Sequence, residues 1–405
     1  MKHSPHSTVA PMKRAAGLAA VWVLTGCGGG LPVAGGDVGE AALPASATAS
    51  GPVGAGAGVT GGAGGATVRV GTPAQLKYEL CRNASAGACT DTTPRTIEIA
   101  TTIDLGDYAE GPAAAEGCDG KQLFDVRYNA AAARGMTVGS NKTVLGIGAN
   151  AAVKGQGFLL RNGVSNVVIR NLSITDIDEG LAFGGDAVTI ADASGVWIDH
   201  NRFARVGRRF IVTGTGDHGG AAADVTISWN EFDGHSAWPA RCDDTHDGPL
   251  LFHGTGRLTF ANNWLHDFSG RGPRIEGDAL VQVVNNHFQD GSWHAIDTAG
   301  GGTRVLVEGN YFEDVPVPVL HGPAAGSVHG LLAQTDAGTS ACNAALGRNC
   351  AVNIATPAPA ADGFTADAAV LAAAKAAPPG SIVRPYPARK VPAVLSAGVG
   401  VGHLR

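Results

Sequence analysis

The stretch FSGRGPRIEG, residues 268–277, carries two arginines on either side of a proline, with glycines close by. The following DALVQVVNNHF has the apolar pattern of a buried strand, so Arg271 and Arg274 lie on a stiff turn at the mouth of that strand. A guanidinium normally stays charged. It acts as a base only where neighbouring cations and a low dielectric favour the loss of its proton. The ordinary alternative for Arg271 is an ion pair with an acid near the turn.

The strand after this turn belongs to a pattern that occurs five times. Two apolar residues at alternate positions are followed by an asparagine and then by another apolar residue. The asparagines are Asn201, Asn230, Asn263, Asn286 and Asn310, which lie 29, 33, 23 and 24 residues apart. Such periods indicate stacked units, and the alternation indicates strands that face a common interior. Stacking would place the asparagines at corners, in a ladder of side chains that bond one another.

The sequence therefore predicts an all-β protein, a right-handed parallel β-helix. A sandwich of hairpins would need tighter turns and shorter spacing. The composition suits many strands and turns, since 60 of the 405 residues are glycine and only 16% are charged. A formal net charge of −6 argues against the basic surface of a nucleic-acid binder. We expect a monomer with no nucleic-acid partner.

The N-terminus is typical of an exported protein. Lys13 and Arg14 precede an apolar run that is too short to span a bilayer and fits a signal peptide. The residues LTGC at 24–27 resemble a bacterial lipobox, which would make Cys27 a lipid-carrying N-terminus. An ordinary signal peptide that contains a cysteine is the alternative. We expect a secreted protein or an outer-membrane lipoprotein of a bacterium, with the lipid as its only membrane contact.

Four segments follow from these patterns. We assign residues 1–26 to the signal peptide, 27–66 to a flexible Gly/Ala-rich tether, 67–332 to the β-helix and 333–405 to a C-terminal arm that packs on it. A solenoid needs caps on its ends. Short helices are predicted at 73–81 for the N-terminal end and at 365–377, where prolines stop the second helix.

Six cysteines remain when Cys27 is set aside. An even number in an exported chain suggests disulfides, but six cysteines allow fifteen pairings. Cys342 and Cys350 are close together in the C-terminal arm, and we predict that they pair. The residues alone do not choose among the pairings of Cys81, Cys89, Cys118 and Cys242.

Several stretches in order resemble the pectate and pectin lyases of polysaccharide lyase family 1. They are VGSNKTVLGIGANAAVKGQGFLLR, GGDAVTIADASGVWIDHNRF, DVTISWNEFDG and SGRGPRIEGDALVQVVNNHFQDG. The last of them and VLVEGNYFEDVPVPV are closer to the pectin-lyase branch. The resemblance implies cleavage of α-1,4-galacturonan by β-elimination, with Arg271 as the base and Arg274 beside it. The pectin-lyase branch also suggests the disulfides Cys81–Cys118 and Cys89–Cys242.

The resemblance also bears on the charge that develops on the C6 oxygen. Pectate lyases stabilise this negative charge with calcium that is held by several carboxylates. Asp186 fits one such position, but Gly184, Val206 and Phe210 stand where other ligands would be expected. Arg208 takes the place of the metal's charge, as in pectin lyases. We therefore expect no cofactor and a methyl-esterified pectin as substrate. Calcium-dependent action on polygalacturonate is the alternative, with the acidic loop CDDTHDG at 242–248 as a possible calcium site.

Three further residues are candidates for substrate binding. Phe183 stands where pectin lyases have a cleft tryptophan, and His294 is a candidate for facing the cleft. His246 begins the residues HDG at 246–248, where pectate lyases tend to have HDK with a lysine that binds uronate. The VWIDH motif at 196–200 is interpreted as a buried structural cluster. Two other functions stay open: a galacturonan hydrolase, which needs two or more carboxylates, and a non-catalytic β-helix adhesin.

Overall fold

The computed structural model describes residues 51–106, 109–110, 115–116, 122–123, 127–129, 131–179, 184–214, 220, 222–236, 246, 248–254, 256–321, 325–359 and 363–404. The chain divides into the units 1–42 and 43–405, and all described residues belong to the second. No helix among these residues has the length and apolar character needed to cross a membrane.

The second unit is built from coils in which three parallel strands follow one another. A complete coil adds one strand to each of three sheets, and the strands away from the sheet ends pair with the equivalent strands of the coils before and after them. Two long strands, β11 (Phe158–Arg170) and β13 (Val188–Asp199), bend so that they supply a strand to two of the sheets. The predicted right-handed parallel β-helix is confirmed.

The first sheet contains residues 158–161 and 188–191 of the two long strands, together with β8 (Met136–Thr137), β15 (Ile211–Thr213), β18 (Leu250–Gly254), β21 (Arg274–Gly277), β24 (His294–Ala299) and β27 (Val317–His321). The second sheet contains the remainder of the long strands, together with β1 (Ala66–Val70), β2 (Arg95–Ile99), β9 (Lys142–Gly146), β16 (Ala223–Ser228), β19 (Arg257–Ala261), β22 (Leu280–Val284), β25 (Arg304–Glu308) and β28 (Ser327–Gly330).

The third sheet contains β3 (Thr102–Asp104), β10 (Ala152–Lys154), β12 (Ser173–Ile177), β14 (Arg202–Val206), β17 (Glu231–Asp233), β20 (Trp264–Phe268), β23 (His287–Gly291), β26 (Tyr311–Glu313) and β29 (Ile354–Thr356). Two small antiparallel pairs lie outside the coils: β4 (Ala109–Glu110) with β7 (Arg127–Tyr128), and β5 (Ala115–Glu116) with β6 (Gln122–Leu123).

Aromatic rings stack inside the coils along the third sheet. Phe203 lies on Phe232 with ring centroids 5.0 Å apart, and Phe288 lies on Phe312 at 4.8 Å. All four rings are fully buried. The alternation of apolar residues places one such side chain inward from each coil, so the core is a continuous column along the β-helix axis.

The predicted asparagine ladder is confirmed at the corner between the second and third sheets. From Asn201 to Asn310, each side-chain amide donates to the side-chain oxygen of the next asparagine at 3.0 Å. Asn353 extends the ladder by one step, also at 3.0 Å. The same oxygens accept backbone N–H groups, for example from Asn230 to Asn263 at 3.0 Å. Every amide in the ladder therefore has partners although it is buried.

One helix packs into the end of the main core, and the other helices pack on the outside of the coils. The predicted N-terminal cap is α1 (Pro73–Leu80), whose Leu76 and Leu80 are fully buried in the main core. The predicted second helix is α3 (Ala368–Ala376), capped by Asp367. The sequence did not predict α2 (Asp336–Leu346), which begins after its cap Thr335 and ends at Gly347 in the left-handed conformation. A short helix, α4 (Val391–Ser396), follows near the C-terminus.

Two disulfides are present among the described residues. Cys342–Cys350 is confirmed, with Cα atoms 5.5 Å apart. Cys81 pairs with Cys89 at a Cα separation of 6.0 Å, so the expected pairs Cys81–Cys118 and Cys89–Cys242 are wrong. The reason is local: α1 ends at Leu80, and the chain then folds back through a bridge between Ser85 and Ala88. Cys118 and Cys242 themselves lie outside the described residues.

Residues 53–62, here named the N-terminal strap, depart from the predicted flexible tether. They lie across the outer face of the second sheet, where Gly56 N–H donates to Thr226 Oγ1 and Gly62 N–H donates to Thr143 Oγ1, both at 2.9 Å. A Cβ added at Gly62 would lie 1.9 Å from the Arg95 carbonyl oxygen. The glycines therefore serve close approach to the sheet, which composition alone does not distinguish from flexibility.

Residues 383–402, here named the C-terminal strap, run along the corner next to the ladder. The Tyr386 N–H donates to Asn285 Oδ1 at 3.0 Å, and Gly402 N–H donates to Asn171 Oδ1 at 2.7 Å. The Tyr386 ring is buried, and burial raises the pKa of its hydroxyl. The last part of the chain is thus bonded to corners of the β-helix that lie several coils apart.

Replacement of a central ladder residue tests the energetic role of the ladder. Asn263→Ala should lower the free energy of unfolding by about 2–4 kcal/mol, because the buried N–H of Asn230 loses its acceptor. Chemical denaturation measures the loss. Asn343→Ala, at an exposed position of α2, is the matched control and should cost less than about 0.5 kcal/mol. Equal effects of the two substitutions would contradict the role assigned to the ladder.

Candidate active site

The predicted catalytic residues lie at the corner between the third and first sheets. Residues 184–187 precede the first-sheet part of β13, 207–210 connect β14 to β15, and 269–273 connect β20 to β21. Because strands of successive coils stack in register, these connections line one edge of the first sheet. Asp186, Arg208 and Arg271 are therefore brought to a common face from separate parts of the chain.

The backbone of Arg271 is bonded to the coils on both sides. Its N–H donates to Nε2 of His294 at 3.2 Å, and its carbonyl accepts the N–H of Leu250 at 3.3 Å. Its φ of 52° lies in the left-handed region, which a non-glycine residue adopts only where its surroundings impose it. The side chain is half-buried. No carboxylate of the described residues forms an ion pair with it, unlike the ordinary alternative considered from the sequence.

Arg274 has the opposite electrostatic setting. Its Nε donates to Glu276 at 3.0 Å, and its Nη1 donates to Asp297 at 3.1 Å. The hydrogen bond to Glu276, together with the charge of Asp297, raises the pKa of the Arg274 guanidinium. Arg274 is thus a fixed cation whose charge is balanced locally, which separates it from its neighbour Arg271.

Asp186 holds the corner that carries Arg208. Its carboxylate lies 3.5 Å from Arg208 Nη1, accepts the backbone N–H of Arg209 at 3.2 Å and accepts the Thr189 hydroxyl at 3.3 Å. The Asp186 side chain is 5% exposed, whereas Arg208 is more open to solvent. The carboxylate therefore positions the arginine and faces the protein more than the solvent.

Arg209 also lies at this corner, although the sequence did not single it out. Its Nη1 donates to the carbonyl oxygen of Gly248. A Cβ added at Gly248 would lie 2.3 Å from that Nη1 and 3.4 Å from Cδ of Arg271. Because Gly248 has no side chain, both arginines can lie close to it. The double arginine in GRRF was the available signal, but only the register of the coils shows which arginine approaches Arg271.

The two candidate histidines have different places. His294 is 1% exposed and acts on Arg271 through the backbone bond described above. His246 is 3% exposed, with its ring against Phe210 and its Nε2 3.0 Å from the Val206 carbonyl oxygen. The structure therefore does not bring the His246 side chain to the outer face of the first sheet. Phe183 and the acidic residues Asp243, Asp244 and Asp247 lie outside the described residues.

The VWIDH motif forms a buried network, as interpreted from the sequence. Trp197 donates to Ser228 at 2.9 Å, and Ser228 donates to Asp199 at 2.7 Å. The other oxygen of Asp199 is 2.6 Å from Nδ1 of His200. Strand alternation alone would point the histidine away, but a φ of 52° at His200 turns the corner and returns the ring. This network belongs to the second sheet and its corner, away from Arg271.

An open cavity of about 680 Å³ lies on the first sheet toward the N-terminal coils. Its lining includes Arg134, Gln156, Arg161 and Thr189. Because Thr189 also donates to Asp186, the cavity borders the Asp186 corner. Neither Arg271 nor Arg208 belongs to its described lining, so the cavity extends the same face and is not itself the arginine corner.

Comparison with known proteins decides the family. A family model described as pectate lyase matches residues 36–357. A probable pectin lyase E of Aspergillus fumigatus is 40% identical over 312 residues, which cover 75% of this chain and 79% of the relative. A probable pectin lyase F of Neosartorya fischeri is 40% identical over 314 residues, with the same coverage. The chain belongs to the pectate lyase family.

Solved structures of the pectate lyase family support the fold. A pectate lyase from Bacillus sp. N165, in complex with trigalacturonate, superposes with a TM-score of 0.55 at 22% identity and covers 88% of this chain and all of its own. A pectate lyase from Acidovorax avenae subsp. citrulli gives a TM-score of 0.52 at 20% identity, with 87% and 95% coverage. At this level of identity the likeness concerns the β-helix alone.

The described contacts of Asp186 bear on calcium, which the family resemblance raised as an alternative. Hard cations need several oxygen ligands, and the described neighbours of Asp186 include an arginine, a backbone N–H and a hydroxyl. Within the described part of this pectate lyase family member, two groups of three possible metal ligands come together, and neither includes Asp186. One group contains the sulfurs of the Cys342–Cys350 disulfide.

A second buried carboxylate lies near this face of the pectate lyase fold. Asp178 is 6% exposed, and burial raises the pKa of its carboxyl from 3.8 to about 6. The backbone N–H of Asn129 donates to it at 2.7 Å and opposes that shift. The folded protein therefore binds a proton at Asp178 more tightly than the unfolded chain does.

Linkage gives this carboxyl a testable pH dependence. Below pH 3.8, the tighter binding of a proton at Asp178 adds its full contribution to the free energy of unfolding. This contribution is lost as the pH rises through about 6, and it amounts to up to about 3 kcal/mol. Asp178→Asn keeps an acceptor for Asn129 and avoids the loss. The variant should be more stable than wild type by about 1–3 kcal/mol at pH 7, and the difference should shrink toward pH 4. Urea unfolding at several pH values checks this, and a constant difference would contradict it.

Proposed function

We propose that this polysaccharide lyase, which cleaves galacturonan, acts by β-elimination with an arginine base, prefers methyl-esterified pectin and works without calcium. The observation that carries the proposal is the unequal treatment of the arginines. Among the described residues, Arg274 is neutralised by two carboxylates while Arg271 has none, and the cations Arg208 and Arg209 stand at the same edge of the sheet. An arginine in such a place is suited to act on a substrate.

In the proposed reaction, Arg271 as a neutral guanidine removes the proton from C5 of a galacturonosyl residue. The electron pair of the C5–H bond moves toward the C6 carbonyl, and negative charge develops on its oxygen. The bond between C4 and its glycosidic oxygen then breaks, the C4–C5 double bond forms, and the leaving oxygen takes up a proton. The products are a shortened chain end and a 4,5-unsaturated uronate ester. No oxidant, reductant or water is consumed.

The protein environment supports this role for Arg271. Before it acts, an arginine base must lose a proton, and positive charge nearby favours that loss. The contact of both Arg209 and Arg271 with Gly248 brings one such charge close. The backbone bonds to His294 and Leu250 hold the base in one place, which a preorganised site requires.

Arg208 is proposed to stabilise the charge on the C6 oxygen. It carries a permanent positive charge and several donors, and its partner Asp186 fixes its position. An ester at C6 needs no counter-ion, and its C5 proton is more acidic than that beside a carboxylate. A site with arginines and without a described cluster of carboxylates at Asp186 is thus better suited to methyl-esterified residues than to polygalacturonate.

A calcium-dependent pectate lyase is the second candidate function. It is favoured by the acidic loop 242–248 in the sequence, which lies largely outside the described residues. In that reading the loop supplies the oxygen ligands that the described neighbours of Asp186 do not. A hydrolase would need two carboxylates facing one sugar, and the arginine corner of the described residues offers Asp186, which is turned to Arg208.

We propose export from the cell, since two disulfides are typical of an oxidising compartment. Lipidation of Cys27 stays a prediction, as do the signal peptide at 1–26 and a monomeric state. The two curated relatives named above are from fungi, which gives the bacterial lipoprotein reading no support. The boundary at 332/333 between β-helix and C-terminal arm is kept as a proposal.

A matrix of substrates and chelator tests the proposed reaction. Highly methylated pectin should yield ultraviolet absorbance from the conjugated double bond, and EDTA should leave that rate unchanged. Polygalacturonate should react much more slowly. Activity confined to polygalacturonate and abolished by EDTA would establish the calcium-dependent alternative. Release of reducing ends without absorbance would point to hydrolysis instead.

Substitution of the arginines tests their roles. Arg271→Lys should fold normally and lower kcat about 100- to 10,000-fold, because the base and its geometry are lost together. Arg274→Lys should cost less, and Arg208→Ala should damage kcat more than KM. Arg202→Lys, at a half-buried arginine of the third sheet, is the control. Wild-type kcat in Arg271→Lys would show that another residue is the base.

A further inference from the structure

Trp293 is a large aromatic side chain that the fold leaves open to solvent. It is 54% exposed, although tryptophan is among the most buried residues on average. Two other large hydrophobic residues of the described chain are exposed: Tyr78 about as much as Trp293, and Leu404 less. Tyr78 has the Arg82 guanidinium over its ring at 5.3 Å, and Leu404 is next to the C-terminus. Trp293 differs from both because it lies beside the proposed base.

The register of the coils gives its place. Phe268 pairs with Gly291, and Arg274 pairs with Asp297, so the connections between these pairs are equal in length. Trp293 therefore stands opposite Gly270, in the coil that follows the Arg271 corner. Neighbouring coils are about 4.8 Å apart. The indole lies one coil away from the proposed base, on the side of the C-terminal coils.

The indole also contacts the histidine that bonds to the proposed base. Its ring meets the His294 ring edge-on, with centroids 4.2 Å apart and an interplanar angle of 86°. His294 is buried and accepts the N–H of Arg271. The carbonyl of Trp293 accepts the N–H of Val317 from the next coil at 3.1 Å. A single histidine thus links the orientation of the exposed ring to the backbone that carries Arg271.

We propose that Trp293 is a sugar-stacking residue, which binds the galacturonosyl ring next to the one that loses its C5 proton. The proposal rests on the proposed lyase function. One face of a pyranose ring presents C–H groups that pack against an aromatic ring, and the indole offers a flat apolar surface at little cost in side-chain entropy. Successive sugars of an extended chain repeat at a spacing close to that of the coils. A chain with one ring at Arg271 therefore has its neighbour at Trp293.

This contact involves the carbon skeleton of the sugar and not its C6 group. The stacking should be indifferent to whether that second residue carries an ester or an acid. Specificity for the C6 group is then exercised at the arginine corner alone. Trp293 contributes affinity and fixes the register of the polymer, so that a C5–H bond faces Arg271.

Direct binding tests the proposal without turnover. In an Arg271→Lys background, a methyl-esterified tetragalacturonate is titrated by calorimetry into proteins with Trp, Phe or Ala at position 293. Trp293→Ala should raise Kd about five- to tenfold, and Trp293→Phe should restore most of the affinity. The same titration with unesterified tetragalacturonate should show the same ratio between the variants. Tyr78→Ala is the matched control, an exposed aromatic on α1, and should leave Kd unchanged.

Kinetics on the otherwise wild-type protein separate the two proposals. If wild type forms no unsaturated product from any galacturonan, the lyase function fails, whatever the titrations give. If wild type is active and Trp293→Ala matches Tyr78→Ala in Kd and in KM on pectin, the stacking role is overturned while the lyase function stands. Size-exclusion chromatography of wild type and Trp293→Ala tests whether the ring binds a second copy of the chain instead of a sugar. A dimer lost only in Trp293→Ala, with Kd unchanged, would assign the ring to self-association and overturn the proposal.

Discussion

A buried amide must find partners for both its donor and its acceptor, and this requirement organises the whole β-helix. The ladder satisfies this requirement in only one register. Each asparagine oxygen accepts a hydrogen bond from the asparagine of the previous coil, and each side-chain nitrogen donates to the asparagine of the next coil. A slip of one residue in any coil would leave several buried groups unpaired. The ladder therefore aligns the corners of successive coils. That alignment brings Asp186, Arg208 and Arg271, which are far apart in sequence, to one edge of the first sheet.

Charge is distributed along this aligned edge with a clear asymmetry. Carboxylates pair with Arg274 and Arg208. The described surroundings of Arg271 instead contain backbone groups, and the side chains of Arg271 and Arg209 both lie close to Gly248. Both the position of Arg271 and its electrostatic setting thus depend on residues in other coils. An arginine identical in sequence context but placed one coil away, beside Asp297, would be held as a permanent cation. The site is accordingly a property of the stack and not of the local motif.

The sequence predicted the features that repeat. The ladder positions from Asn201 to Asn310 carry the coil spacing in a form that any reader can count, and both α1 and α3 begin and end near their predicted bounds. Features that depend on non-repeating contacts were missed. The pairing of Cys81 with Cys89 follows from where α1 stops, and Arg209 approaches Arg271 only through the coil register.

The N-terminal strap shows a different limit of sequence reading. Glycine is frequent both in disordered linkers and in segments whose backbone lies directly against a sheet. A glycine-rich composition therefore does not distinguish between these two structures. Only the 1.9 Å approach to Arg95 that a Cβ at Gly62 would have distinguishes them. Trp293 was overlooked for a related reason: the pattern of the strands predicts what is buried, and says little about which corner residue is left open.

The two straps change how a stack of coils can come apart. In a plain solenoid each coil touches only its neighbours, so the end coil can peel away while the rest stays folded. Here the N-terminal strap crosses from β19 to β2, and the C-terminal strap reaches from Asn285 back to Asn171. Peeling either end would first require a strap to detach from coils in the middle. The two straps therefore couple the end coils to the middle of the stack, so that the coils should unfold together and not one at a time from the ends.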